Sequence, residues 1–321
     1  MTIQHPLQKK VSELNADPTW HMNKVRNLTS ALSAHISGKH RLSMAAIAYR
    51  VNELLRYTVL MPIPIPLEEM ICFTRATKFD GTEPNHCYKK LSRLSYLPLN
   101  HVKRPELGRL NKEGERLFYC CWDVKHISLF ASLAEIRAVD GDVVNILVSH
   151  TRPTTSPVRQ DQYLYVIPIG INDYFHRGED LPFILHNSYR QHYEFLAQNL
   201  RPRALRAMHD CDRFLVKVVS MEEVEGLYQV TSEIAQNCLG SPNIDGIVYP
   251  STRFGGFPNI GMKIDSVDSK LQHVGARSIE VHQGGKAYKT LYNGFIEGEK
   301  ITWISADSPV TVDGVQVQNL D

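Results

Sequence analysis

The sequence predicts an α+β fold, a mixed β-sheet core with flanking helices, a helical N-terminal extension before it and a strand-rich C-terminal tail after it. Three observations predict this. The first sixty residues place apolar side chains at helical spacing, and a proline-alternating segment at 61–66 then forbids helix. Beyond it, short β-branched runs interleave with helical stretches up to a tail of alternating residues.

The N-terminal pattern predicts helices over 22–36 and 42–55, broken at Ser37-Gly38-Lys39-His40. In the second of these, Met44, Ile47, Ala48, Val51, Leu54 and Leu55 share one face, as in a helical hairpin packed on something else. Met61-Pro62-Ile63-Pro64-Ile65-Pro66 alternates proline with apolar residues, which fixes an extended segment. Residues 70–75 and 116–122 then read as strands, followed by a helix over 127–139 with Leu129, Phe130, Leu133, Ile136 and Val139 on one face. The runs 142–148 and 162–171 are apolar and β-branched. Residues 180–208 turn helical, 214–219 and 246–249 read as buried strands, and a helix over 230–238 lies between those two. From Ser278 onward short strands are expected, broken at Gly284-Gly285, Asn293-Gly294 and Asp313-Gly314. One core with extensions follows: 1–60 a helical N-terminal extension, 61–265 the core with a helical insertion at about 180–210, and 266–321 a β-rich C-terminal extension.

Composition excludes several function classes. A 321-residue chain with 43% hydrophobic and 22% charged residues is ordinary for a folded protein, and it is long enough for one large core with appendages. The formal net charge of +2, from 36 basic and 34 acidic residues, gives no field that would gather nucleic acid or a membrane surface. No apolar run approaches the roughly 18 residues of a membrane span, and residues 1–10 lack a signal-peptide core, so a cytoplasmic protein is expected. Six cysteines without a CxxC pair read as reduced, mostly buried thiols. No metal is expected: the fourteen histidines lack tight ligand spacing, and His186 and His192 are the nearest pair on the insertion. There is no GxxxxGK[ST] loop, GxGxxG fingerprint, GxSxG elbow or HExxH helix, so Ser251 lacks the setting of a hydrolase nucleophile.

What remains is a set of short strings in fixed order: Phe73-Thr74-Arg75-Ala76-Thr77, Gly108-Arg109-Leu110-Asn111, Phe118-Tyr119 with Ala134-Glu135 following, and Asp245-Gly246-Ile247-Val248-Tyr249-Pro250-Ser251. They set two arginines, a tyrosine, a glutamate and a serine beside apolar segments. Arginine pairs two phosphate oxygens with its planar fork, a carboxylate stabilises positive charge at a sugar carbon, and an aromatic ring offers a face to a cationic ring. Singly, each residue has an ordinary reading: a surface arginine, a core tyrosine, a serine that starts a turn. Glu135 shares a helical face with Ser128 and Ser132, off the apolar stripe, which fits a solvated face.

Together the strings resemble the RES-domain family, whose members act on NAD with a fold related to ADP-ribosyltransferases. The resemblance covers about 71–263. It implies an ADP-ribosyltransferase-like core and an enzyme that cleaves the nicotinamide–ribose bond of NAD, its substrate, with phosphate or water as acceptor. It implies catalytic roles for Arg75, Glu135 and Ser251, with Arg75, Arg109, Asn111, Tyr119 and Ser251 binding the dinucleotide: Arg109 on phosphate, Tyr119 against nicotinamide. Many relatives are toxins, so a neutralising antitoxin protein is an implied partner, a place the N-terminal hairpin can take in cis. A mono-ADP-ribosyltransferase acting on a protein or nucleic acid, and a non-catalytic module that senses NAD or a nucleotide, are the competing readings. Glu135 and Ser251 lie 116 positions apart (251 minus 135), longer than a compact family member requires, and the 180–210 stretch is the expected insertion.

Overall fold

The computed structural model describes residues 4–96, 106–124, 126–178, 187–307, 310–312 and 315–317, and it shows a mixed α+β fold. Three helices come first: α1 (Gln4–Ala16), α2 (Pro18–Ile36) and α3 (Met44–Leu55). Helix α2 starts four residues earlier than the apolar pattern predicts, because Asp17 caps it by accepting from the Trp20 amide and Pro18 suits the first turn. Ser43 caps α3 in the same way through the Ala46 amide.

The proline segment becomes strand β1 (Ile63–Pro66), and it sits at a sheet edge, the one place where residues without an N–H do not interrupt a ladder. There follow β2 (Cys72–Lys78), β3 (Leu117–Trp122), α4 (Ser128–Glu135), β4 (Val143–Thr151), β5 (Tyr163–Pro168) and α5 (Ile171–Arg177). Next come α6 (Asn187–Asn199), α7 (Pro202–Val219), α8 (Leu227–Leu239), β6 (Gly246–Pro250), β7 (Pro258–Lys263) and α9 (Ile264–Lys270). The chain ends in β8 (Leu271–His282), β9 (Ala287–Glu297), β10 (Lys300–Ser305) and a separate small ladder of β11 (Val310–Val312) with β12 (Val315–Val317).

Ten strands form one sheet in the order β1-β5-β6-β7-β3-β2-β4-β8-β9-β10, antiparallel throughout except for β5 beside β6. The tail strands β8–β10 thus continue the same sheet. Alternation along each strand divides the core between two faces. Ile247 and Tyr249 of β6 join the cluster under α2, α3, α7 and α8, whereas Val248 joins Phe73, Phe118, Trp122, Leu147 and Met262 on the other face. On the helical face, α4 covers a smaller cluster of Ala76, Leu133, Val144, Ile146, Ile279 and Val281. Two helical layers therefore sit side by side on one sheet face.

Between those layers the sheet opens. Strand β2 pairs with β4 along all seven residues, Cys72 to Lys78, but with β3 only at Phe73↔Trp122 and Thr74↔Cys121. Strand β3 meanwhile pairs with β7 over five positions. From Arg75 onward β2 and β3 part, which leaves backbone edges of both strands facing a split.

Four expectations are corrected. Residues 214–219 are the last turns of α7 rather than a strand: Ala204, Ala207, Met208, Cys211, Phe214, Leu215 and Val218 recur at helical spacing, and a short apolar run alone cannot choose between the two. The predicted 127–139 helix stops at Glu135, since Arg137 adopts φ 53° and Val139 is 58% exposed. Asn293-Gly294 lies inside β9 and turns nothing; a Cβ on Gly294 would sit 2.9 Å from the Ile301 and Trp303 side chains, so the glycine admits a cross-strand neighbour. Ile171, placed in a strand by its apolar run, opens α5. His186, the 180–186 stretch and Asp313-Gly314 fall outside the described residues. Among the described residues no helix is long and apolar enough to cross a membrane, and no group of three or more His, Cys, Asp or Glu could hold a metal ion. All six cysteines are free, and five are buried.

Buried titratable groups set an acid response. Burial pushes His209, stacked 3.7 Å from His176, down to about 4, and pushes His273 down to about 4 as well, while it raises Asp212 to about 6. Both histidines fold with pKa values below the roughly 6.5 of the unfolded chain, so the stability they contribute is present above that value and is lost as pH falls from 6.5 through 4. Asp212, raised above roughly 3.9, acts oppositely and regains stability as pH falls through 6. Two groups against one leave a net loss, so Tm should fall between pH 7 and 4.5, by roughly 1–2 °C per kcal/mol for a chain of 321 residues. His209→Gln should flatten that slope in differential scanning calorimetry; an unchanged slope would contradict the assignment.

Candidate functional site

Arg75 lies in the middle of β2, not at its end, and stands at the mouth of the split. Its Nη1 donates to the Tyr119 carbonyl at 2.7 Å, across the gap where β2 and β3 no longer pair. Its guanidinium carbon lies 5.8 Å from the centre of the Phe118 ring. Its Nε is buried and has no hydrogen-bond partner among the described residues, and none of their carboxylates pairs with it. Burial lowers its pKa, yet a guanidinium stays charged. A partly desolvated cation without a carboxylate is costly, and it is the arrangement an anionic ligand would complete.

Glu135 ends α4, and its side chain comes from the polar stripe, not the apolar one. The stripe that fitted a solvated face is in fact buried: Ser128 and Ser132 are each 2% exposed, and Ser132 Oγ pairs with Thr74 Oγ1 at 2.8 Å. That bond fixes α4 on β2 one residue before Arg75. The Glu135 carboxylate takes two hydrogen bonds on one oxygen: Ser251 Oγ donates to Oε1 at 2.5 Å, and Asn259 Nδ2 donates to the same atom at 2.8 Å. Among the described residues Oε2 has no hydrogen-bond donor, so the carboxylate is oriented on one side and open on the other.

Ser251 follows β6, where its Oγ also accepts from the Arg253 and Phe254 amides at 3.1 and 2.9 Å. With its proton on Glu135 and both lone pairs on backbone N–H groups, the hydroxyl is saturated. It therefore positions Glu135 and has no free electron pair with which to attack. Strands β3, β6 and β7 bring these groups together in register, Cys121↔Asn259 and Tyr249↔Asn259, and Cys121 Sγ donates to Asn259 Oδ1 at 3.1 Å. Arg75 and Glu135 are both electrostatic neighbours of the Cys121 thiol and the Tyr249 hydroxyl, whose pKa values burial raises. The 116-residue separation thus closes in space.

The Gly108-Arg109-Leu110-Asn111 string does something different. Asn111 Nδ2 donates to the Glu106 and Lys112 carbonyls at 2.9 and 3.0 Å, and its Oδ1 accepts from the Tyr119 hydroxyl at 2.8 Å. Both side-chain N–H groups of Asn111 are spent on backbone, which corrects the expected role of its amide as a binding group. The Tyr119 hydroxyl also accepts from the Leu110 amide at 3.0 Å, and burial raises its pKa. Tyr119 is the third residue of β3, where its backbone carbonyl serves Arg75 while its side chain locks the loop. Arg109 Nη1 donates to the Val219 and Met221 carbonyls at 2.7 and 2.9 Å, which caps the end of α7, where the helix dipole favours a cation. Its expected phosphate contact is thus replaced, for that nitrogen, by backbone.

Gly108 is required by this lock, since a Cβ there would meet Asn111 Oδ1 at 2.3 Å. Gly108→Ala should expel the Asn111 amide, release the Tyr119 hydroxyl and lower stability by about 1–3 kcal/mol. Chemical denaturation measures it, and an unchanged midpoint would contradict the packing.

Sequence reasoning missed Asn259 and Tyr249 as site members. Asn259 has a signal, a lone amide in the apolar run Phe257 to Met262, and at 3% exposure it needs a partner. Tyr249 sits inside a recognised string but carries no mark to separate it from core filling. Comparison of the chain with protein-family models, with curated proteins and with solved structures gave no match.

Proposed function

We propose that the split between β2 and β3 is the dinucleotide cleft of an ADP-ribosyltransferase-like core, and that the protein consumes NAD by cleaving its nicotinamide–ribose bond. Two observations carry this reading together: a half-buried Arg75 whose Nε is buried without a partner, and a Glu135 carboxylate held by Ser251 and Asn259 on one oxygen only. Arg75 takes a phosphate oxygen of NAD with its remaining N–H groups. Glu135 Oε2 faces the nicotinamide ribose and accepts from a ribose hydroxyl.

As the bond breaks, its electron pair goes to the nicotinamide ring, which neutralises the ring's positive charge, and the sugar carbon becomes oxocarbenium-like. The carboxylate stabilises that charge from a fixed position, so little reorganisation is needed at the moment of reaction. A phosphate or water oxygen then bonds to the sugar carbon; a water passes its proton to Glu135, a phosphate dianion needs no such transfer. Ser251 supports this role by holding the carboxylate in place.

On this reading the protein depletes the cofactor and is toxic unless a partner, such as the antitoxin the resemblance implies, covers the cleft. The test is incubation of purified protein with NAD, with and without phosphate, followed by product analysis. Free nicotinamide with ADP-ribose or its phosphate ester is the expected result. ADP-ribose attached to protein would shift the reading to a transferase, and background nicotinamide release under both conditions would end it.

A further inference from the structure

Arg109 spends one nitrogen of its fork on the end of α7, which leaves room for a second arm on the dinucleotide's diphosphate. We propose that Arg253 is this arm, that it binds the diphosphate of the substrate, and that Glu222 occupies its guanidinium until the ligand arrives. The inference rests on the NAD-cleavage reading and names a residue that reading does not use.

Arg253 lies two residues past Ser251, on the loop between β6 and β7. The loop is fixed at its start: the Ser251 hydroxyl that donates to Glu135 accepts the Arg253 amide. Arg253 therefore shares one turn with the group that orients the carboxylate. Its side chain is only 22% exposed, and among the described residues its guanidinium makes no hydrogen bond. Among the described residues the carboxylate at ion-pair distance is Glu222 at 3.7 Å, too long for a hydrogen bond.

Glu222 itself is 75% exposed, so the pair is screened and weak. It belongs to the short segment after α7 whose Met221 carbonyl Arg109 holds. Arg109 also lies 5.8 Å from the Tyr228 ring, and the charges of Arg109 and Arg253 both act on the Tyr228 hydroxyl, so the two arginines flank one tyrosine. A partly desolvated guanidinium with five unused N–H donors and a loosely held carboxylate is poised for exchange. A diphosphate offers what Glu222 does not, several acceptor oxygens within hydrogen-bond reach and a higher charge.

The experiment is calorimetric titration of the full chain with ADP, AMP and ADP-ribose, with Arg253→Ala, Arg253→Gln and Glu222→Gln alongside the parent. Both Arg253 variants should weaken ADP and ADP-ribose by roughly 10- to 100-fold and AMP by less. Glu222→Gln should tighten ADP by about 2- to 5-fold, since it removes the competing charge. That opposite sign is the readout a merely structural arginine would not give. Parent-like ADP affinity in both Arg253 variants, or no tightening in Glu222→Gln, would overturn the proposal and leave the NAD reading standing. A parent protein that binds none of the three ligands would overturn both.

Discussion

Glu135→Gln should reduce NAD cleavage about 1,000-fold while the protein keeps its fold. The glutamine oxygen can still accept from Ser251 and Asn259, the two bonds that hold the side chain, so the local geometry survives. What disappears is the negative charge beside the ribose. Removing a preorganised electrostatic partner of a transition state typically costs 10²–10³ in rate, and here the charge itself is lost, which places the effect at the upper end. Because the carboxylate acts chiefly on charge that develops as the bond breaks, most of the loss should appear in kcat, with a smaller rise in KM because the glutamine NH2 cannot accept from the ribose hydroxyl. Single-turnover nicotinamide release, together with an unchanged melting curve, checks both halves. A loss of activity that tracks a loss of Tm would mean that Glu135 is only a tie between α4 and the 251 turn.

Arg75→Met should separate function from stability in the opposite sense. Methionine fills much of the same volume in the split without a charge. The Tyr119 carbonyl loses its donor, a cost of about 1–3 kcal/mol, while relief of an unpaired, partly desolvated cation offsets it by a similar amount. Tm should therefore stay within a few degrees of the parent. NAD cleavage should fall about 100- to 1,000-fold in kcat/KM, because a charge-assisted contact to phosphate is gone. If Arg75 were a structural strut, the same substitution would destabilise the fold by several kcal/mol, and scanning calorimetry distinguishes the two outcomes.

Much of the fold is legible in the sequence where one signal dominates. The α3 stripe, the prolines of β1 and the apolar runs of β4 and β6 each carry a period or a residue type with one structural meaning. Reading failed where two meanings compete. Residues 214–219 are apolar in a run short enough for a strand, and only the pattern reaching back to Ala204 shows the helix. Asn293-Gly294 has turn chemistry, but the Trp303 ring uses the glycine for space, a tertiary demand invisible in a dipeptide.

The site divides in the same way. Glu135 and Ser251 meet in a hydrogen bond across 116 positions, and Arg75 shares the Cys121 and Tyr249 side chains with Glu135 as electrostatic neighbours, whereas the Asn111 amide and one Arg109 nitrogen turn onto the protein's own backbone. The sequence shows that a polar group exists, but the contest between ligand and carbonyl for its hydrogens is settled by loop geometry. The polar stripe of α4 makes the point most sharply. Ser128, Ser132 and Glu135 look like a solvated face, and they are the face turned to the sheet and the site.

The most direct test of the account is a crystal structure of Glu135→Gln, slow enough to hold its substrate, with NAD bound. The account predicts the dinucleotide in the split between β2 and β3, a phosphate oxygen within hydrogen-bond distance of Arg75 and the nicotinamide ribose beside the open side of residue 135. NAD bound elsewhere on the protein, with no phosphate oxygen on Arg75, would contradict it.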